Sequence, residues 1–221
     1  MAAGLFASVE IGFGRVLRRS LGSDFILLPP ALAVWGTNVG AEPALAEGIR
    51  GIEGVEVVST LRFAPTLIND VAASAMGIDP ASYSQVSGLT FTRGDEADAY
   101  TAMATGRNLV INGILATTAQ IGVGDQIELV TPTGRQTYRV VGIAGDYLNA
   151  KIGTVYLSQA NIAADFGRNE DVLLQINLEP GADRAAVETS LRDALRPYPQ
   201  FRMIAGLEFI EENLQVFETA W

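Results

Sequence analysis

The sequence predicts an α+β protein: a sheet-and-helix layer, divided along the chain, with a small β-rich subdomain inserted between its two parts. Three observations carry this. The segments on either side of the middle each read β-α-β. The central stretch from Gly106 to Leu157 is dense in strand-period alternation and glycine turns. The 221 residues are 48% hydrophobic and 18% charged, enough apolar side chain for a sizeable core.

From the N-terminus, Gly4 to Ser20 has the spacing of a helix, with Phe6, Val9, Phe13 and Val16-Leu17 on one stripe. Arg15, Arg18 and Arg19 load its last turn, where cations favour the helix dipole, and Gly22 follows as a stop. Asp24 to Leu28 reads as a strand closed by Pro29-Pro30. The next residues to Gly40 are apolar but irregular and contain Trp35. Glu42-Pro43 opens a short helix with proline in its first turn, Leu45, Ile49 and Ile52 on one face, and Gly54 at its end. Val55 to Phe63 is a strand. Thr66 to Gly77 reads two ways: Leu67-Ile68 and Val71 suit a strand, Ala72 to Ala75 a helix. Pro80 to Ser84 reads as loop, Ser87 to Arg93 as a strand, and Ala97 to Ala104 as a helix.

The central unit opens with the apolar run Leu109-Val110-Ile111 and a short helix from Gly113 to Gln120. Gly122 to Asp125 is a turn. Gln126 to Thr137 is a hairpin around Thr131-Pro-Thr-Gly134, with Pro132 fixing φ and Gly134 free to take a positive one. Thr137 to Ile143 returns as a strand, and Val155 to Leu157 is a third, so the unit reads as a partly closed barrel. Beyond it, Ser158 caps a helix to Phe166, Arg168 to Asp171 turns, and Val172 to Leu178 alternates as a strand. Asp183 caps a helix to Arg196 carrying the favourable pair Glu188 and Arg192. Phe201 to Ile204 is a short strand. Leu207 to Trp221 is a last helix striped by Ile210, Leu214 and Phe217.

Composition excludes several chemistries. A net charge of −10 opposes a nucleic-acid partner, since phosphate binding needs a basic face. With no cysteine and no histidine, zinc-type metal sites lose both usual ligands, and Cys–His and Ser–His catalysis are excluded. Gly122-x-Gly-Asp125 lacks the lysine and the following helix of a phosphate cradle. Asp95, Glu96 and Asp98 lack calcium-loop spacing and read as a solvated face. Asp146-Tyr147 and Lys151 have nothing to bring them together for acid–base work. No catalytic, cofactor-binding or metal-binding residue is expected. No apolar run reaches the ~20 residues that span a bilayer, and the residues after Met1 do not form a signal peptide. Phe25, Leu28, Trp35 and Phe63 are candidates for a partner or substrate surface, with core beneath the sheet as the competing reading.

The order Val110-Ile-Asn112, short helix, Gly122 to Asp125, strand, Gly134 turn, and a strand ending Val140-Val-Gly-Ile143 resembles the extracytoplasmic domain of FtsX-like and MacB-like ABC transporter permeases. Ser23 to Leu27 and Ile49 to Val58 extend the likeness. The resemblance implies a porter-like split layer: residues 1–22 a stalk helix, 23–85 and 168–206 the two halves, 86–167 the inserted subdomain, and 207–221 a second stalk helix. It places Phe6, Phe13, Arg15, Arg18, Arg19, Leu214, Phe217 and Trp221 near the membrane, joined to membrane helices on both sides. It implies a location at the cell membrane on the extracytoplasmic side and an indirect link to a cytoplasmic ATPase, since no Walker motif is present. The partner would be an envelope protein, peptide or lipid, the full transporter a dimer, and the role mechanical. The other class of reading is a free-standing ligand-binding protein or carboxylate-based enzyme with an inserted barrel.

Overall fold

The computed structural model describes residues 22–29, 39–146, 152–206 and 208. The first expected terminal helix lies outside these residues, as does the second but for Glu208, and so do Trp35, Tyr147 and Lys151. The elements are β1 (Phe25–Leu28), α1 (Pro43–Arg50), β2 (Val55–Ile68), β3 (Val71–Ile78), α2 (Tyr83–Val86), β4 (Thr90–Arg93), α3 (Glu96–Met103) and β5 (Asn108–Ile111). They continue with α4 (Gly113–Thr118), β6 (Gln126–Thr131), β7 (Gly134–Gly145), β8 (Thr154–Ser158), α5 (Gln159–Phe166), β9 (Leu173–Leu178), α6 (Arg184–Leu195) and β10 (Arg202–Ala205).

The described strands join in one sheet, ordered β10-β1-β9-β2-β3-β8-β5-β7-β4, with β6 on β7. Its first four strands are each antiparallel to their neighbours and interleave two β-α-β units. β1-α1-β2 straddles β9, and β9-α6-β10 straddles β1, the split β-α-β arrangement. Everything between β2 and β9 is inserted at what would otherwise be a hairpin. β2 serves both regions: from Val55 to Leu61 it pairs with β9, and from Leu61 to Ile68 with β3. Beyond that point the sheet curls. β2, β3, β8, β5, β7 and β6 follow one another, and Thr66 Oγ1 on β2 donates to the Val130 carbonyl on β6 at 2.9 Å. The barrel is therefore partly closed, by a side chain where a backbone ladder is missing. Leu109, Ile111, Leu129, Tyr138, Val140, Val155 and Leu157 fill it, and α5 packs there through Ile162 and Phe166.

β1 is buried at all four positions. Phe25 and Leu27 face α1 and α6, against Leu45, Ile49, Val187 and Leu191. Ile26 and Leu28 face the other way, toward Leu61, Tyr83, Leu89 and Met103. Phe25 and Leu28 are thus core, not a partner surface; a central strand covered on both faces is apolar throughout. Phe63 is half-buried against the second cluster.

The ambiguous stretch is a strand. Ala72, Ala73 and Ala75 favour helix by propensity, but β3 is held between β2 and β8, and the small side chains admit close neighbours. The turn into it, Asn69-Asp70, has φ of 49° and 63°, the two-residue hairpin geometry that Asn and Asp tolerate. The expected Pro80–Ser84 loop gives way to α2 at Tyr83. On β3, a Cβ at Gly77 would lie 2.6 Å from Ile162 Cγ1. Gly77→Ala should destabilise the protein by about 1–3 kcal/mol in urea unfolding, and Ile162→Val should relieve part of that loss.

Asn112, 4% exposed, explains why an amide follows β5. Its Oδ1 accepts the Leu115 N–H at 3.0 Å, capping α4, and the Thr154 N–H at 3.1 Å. Its Nδ2 donates to the Ile152 carbonyl at 2.6 Å. Asn112→Ala leaves two buried amide N–H groups without their acceptor and should cost about 2–4 kcal/mol of stability, read as a lowered urea midpoint.

Candidate functional site

Both terminal segments leave the sheet at one place. β1 begins where β10 ends, with Phe25 opposite Ala205 and the Gly206 N–H on the Asp24 carbonyl at 3.3 Å. Asp24 is the hub of this junction. Its carboxylate accepts Arg184 Nη1 at 2.8 Å through Oδ1 and the Leu178 N–H at 2.9 Å through Oδ2. Its carbonyl also accepts Arg184 Nη2 at 2.9 Å, and its N–H donates to Asn177 Oδ1 at 3.3 Å. The Arg184 guanidinium stacks over the Phe25 ring, 4.3 Å from its centroid. Asn177 continues the chain of contacts through Nδ2 to the Gln85 carbonyl at 2.9 Å. β1, β9, β10, α6 and α2 are thus all tied to the residue from which the N-terminal segment departs.

Arg184 stands at the first position of α6, where the helix dipole disfavours a cation. Capping is done by Asp183, whose carboxylate accepts the Ala185 and Ala186 N–H groups. The arginine's fork is committed instead to Asp24, gripping a carboxylate oxygen and a carbonyl together. Of these residues the sequence singles out only Phe25, as a candidate surface, and Asp183, as a helix cap. A cation at a helix start was the one local sign; the partner lies 160 residues away.

The sequence-level candidates resolve otherwise. Gly122–Asp125 spends its groups on its own chain: Asp125 Oδ2 accepts the Gly122 N–H at 2.8 Å, and Gly124 donates to the Val140 carbonyl at 2.8 Å. Asp95 caps α3 by accepting the Asp98 N–H at 3.0 Å. Asp146 is buried with Oδ2 3.5 Å from the Tyr83 hydroxyl, and burial first, then that carboxylate, hold the phenol well above its ordinary value. Among the described residues no group of three acidic side chains is placed to hold a metal ion.

Two buried carboxylates stitch the inserted region to its surroundings. Asp165 on α5 accepts Arg107 Nε at 2.9 Å and Nη2 at 2.7 Å, and the Tyr138 hydroxyl at 2.5 Å. The arginine's hydrogen bonds, more than the tyrosine's, hold its pKa below the usual aspartate range. Asp171 pairs with Arg62 of β2 at 2.9 Å, and burial outweighs that pairing to raise its pKa. Both tie separate elements together through side-chain hydrogen bonds.

Residues 9–194 match the MacB-like periplasmic core domain. The chain belongs to that family. Its fold is shared with the periplasmic region of MacB from Actinobacillus actinomycetemcomitans, at a TM-score of 0.60 and 13% identity over 91% of this chain and 98% of that one. The extracellular domain of the ABC-type transporter YknZ from Gram-positive bacteria superposes with a TM-score of 0.57 at 15% identity, covering 81% of this chain and 98% of that one. No curated protein matches by sequence. This MacB-like domain is an extracytoplasmic domain of an ABC transporter permease, and its family is not a known enzyme family. No described helix is long and apolar enough to cross a membrane.

Proposed function

We propose that this domain passes movement of flanking membrane helices, driven by ATP hydrolysis in the cytoplasm, to a substrate or partner outside the membrane. The observation that supports this is the shared exit of the two terminal segments at Asp24 and Gly206, bound to α6 through Arg184. Two segments leaving side by side can carry one coordinated displacement into the domain. In this reading residues 1–22 and 207–221 are stalk helices. Phe6, Phe13, Arg15, Arg18, Arg19, Leu214, Phe217 and Trp221 are then membrane-proximal. In this reading β1, α1, β2, β9, α6 and β10 form one unit, and the elements from β3 to α5 the unit inserted in it. The shared sheet, through β2 and the β3–β8 pairing, makes these two units move as one body.

The test uses the full-length protein in lipid. Its gene should encode apolar runs of ~20 residues on both sides of this chain. These 221 residues contain no cysteine, so once any cysteine elsewhere in the full-length protein is replaced, labels at Leu67→Cys and Arg192→Cys are unique. The distance between them should stay constant on nucleotide addition, while the distance of each to a label in a membrane helix changes. A chain without flanking apolar runs, or label distances to the membrane that ignore nucleotide, would sink the reading.

A further inference from the structure

Along one edge of β7 two strands pair in succession, β6 with Gly134–Arg139 and β4 with Ile143–Gly145. The residues between belong to neither. The Gly122–Asp125 turn fills part of this gap, with the Gly124 N–H on the Val140 carbonyl at 2.8 Å and the Val140 N–H on the Asp125 carbonyl at 2.9 Å. Val141 is the extra residue of a bulge, since Leu109 and Val110 of β5 face Val140 and Gly142. A bulge re-aims side chains. Here Arg139 and Val141 turn away from the barrel interior that Tyr138 and Val140 fill. Between this outer face, the turn and the flank of α3 lies a cleft of about 210 Å³. Its walls are small and apolar: Ala99 and Ala102 of α3, Val141, and Val123 of the turn, which is 46% exposed. Asp98 and Arg139 complete the lining, at opposite ends. Gly94, just before α3, lies against the Val141 carbonyl, and beyond the far end of the helix Asn108 pairs with Arg139. Asp98, in the first turn of α3, is therefore the end away from the arginine. Both side chains are exposed, and among the described residues neither makes an ion pair or a hydrogen bond. Arg62, Arg107 and Arg184, by contrast, have each found a carboxylate.

From this arrangement we infer that the α3–β7 cleft binds a free aliphatic amino acid, its ammonium on Asp98, its carboxylate on Arg139 and its side chain against Val123 and Val141. Opposite unpaired charges with apolar surface between them are the complement of such a zwitterion. The arginine's planar fork suits a carboxylate in two places at once. The volume falls short of the ~300–1,000 Å³ of drug- and cofactor-sized sites, so one small side chain fills it. Alanine at positions 99 and 102 keeps the helix flank low enough to leave that space. The inference does not rest on the transporter reading, and binding is tested on the 221-residue chain by itself.

The probe is leucine, titrated against the protein and followed by amide NMR. Signals of Asp98, Ala102, Val123 and Val141 should shift together and saturate. Glycine lacks the side chain, 4-methylpentanoate the ammonium and leucinamide the carboxylate; each should bind at least about tenfold more weakly than leucine. Asp98→Asn should abolish the preference for leucine over 4-methylpentanoate, and Arg139→Gln the preference for leucine over leucinamide. Both substitutions are at exposed positions, so the fold is kept. A purely structural role for either residue would leave these preferences unchanged. No saturable shift below ~10 mM leucine, equal binding of leucine and its analogues, shifts confined to other residues, or preferences unaltered in both variants would overturn the inference. So would binding of a blocked tripeptide, with leucine between lysine and glutamate, where leucine itself fails to bind; the cleft would then take a side chain of a partner protein. None of these results touches the flanking-helix test above.

Discussion

Asp165→Ala should lower the stability of this domain by about 3 kcal/mol, among the largest losses for any single charged side chain in it. The carboxylate is 3% exposed and takes three hydrogen bonds, two from Arg107 and one from Tyr138. Without it the fully buried Tyr138 hydroxyl has lost its acceptor inside the barrel, while the half-exposed Arg107 turns to water. Tyr138→Phe alone should cost only about 1 kcal/mol, and the double variant less than the sum, since both act on one network. The pH dependence separates this site from the other buried aspartate. The folded pKa of Asp165 lies below its unfolded value, so its contribution is complete above the unfolded value and is lost as pH falls through the folded one. Asp171 is shifted upward, so its contribution is complete below the unfolded value and is lost as pH rises through the folded one. Asp165→Asn should therefore flatten the acid limb of a urea-midpoint profile, and Asp171→Asn should steepen it. An acid limb unchanged by Asp165→Asn would refute the assignment.

Much of the architecture was legible because it is local. Asp183 and Ser158 cap the helices they precede, Glu188 meets Arg192 one turn on, and Gly134 takes the positive φ its turn requires. The central unit declared itself through turn glycines and strand alternation, which do not depend on distant parts of the chain. Illegible parts were those decided by neighbours far away. Ala72 to Ala75 is a strand because β2 and β8 flank it, and alanine there leaves room for packing. Phe25 and Leu28 read as surface or core alike because an apolar run carries no period; covering helices on one face and α2 and α3 residues on the other make them core. Asn69-Asp70 is a two-residue turn signal in the sequence, and its left-handed φ angles start the hairpin that fixes the stretch after it as a strand. The junction was hidden most completely, because Asp24 and Arg184 are ordinary charges until the split β-α-β order lays β1 beside β9 and β10.

At that junction, Asp24→Ala in the full transporter should reduce transport by about tenfold or more while ATP hydrolysis continues, because the link between the terminal segments and α6 is what it removes. The effect on folding should be small by comparison. Arg184 and Asp24 are 47% and 38% exposed, so the ion pair itself stabilises by under ~1 kcal/mol, and the Leu178 N–H adds about 1 kcal/mol. Three variants divide these contributions. Asp24→Asn keeps an acceptor for the Leu178 N–H and loses the charge. Arg184→Ala keeps the carboxylate and loses both the ion pair and the grip on the Asp24 carbonyl. Asp24→Ala loses the carboxylate's bonds to both partners. If the junction transmits movement through the arginine, Arg184→Ala and Asp24→Ala should be equally defective in transport, though Arg184→Ala is the more stable. If transport followed stability across the three, with Arg184→Ala close to wild type, the junction would be a fastening of β9 to β1 and no more. Retained transport in Asp24→Ala would move the coupling path elsewhere in the domain, whatever the stability of the variant.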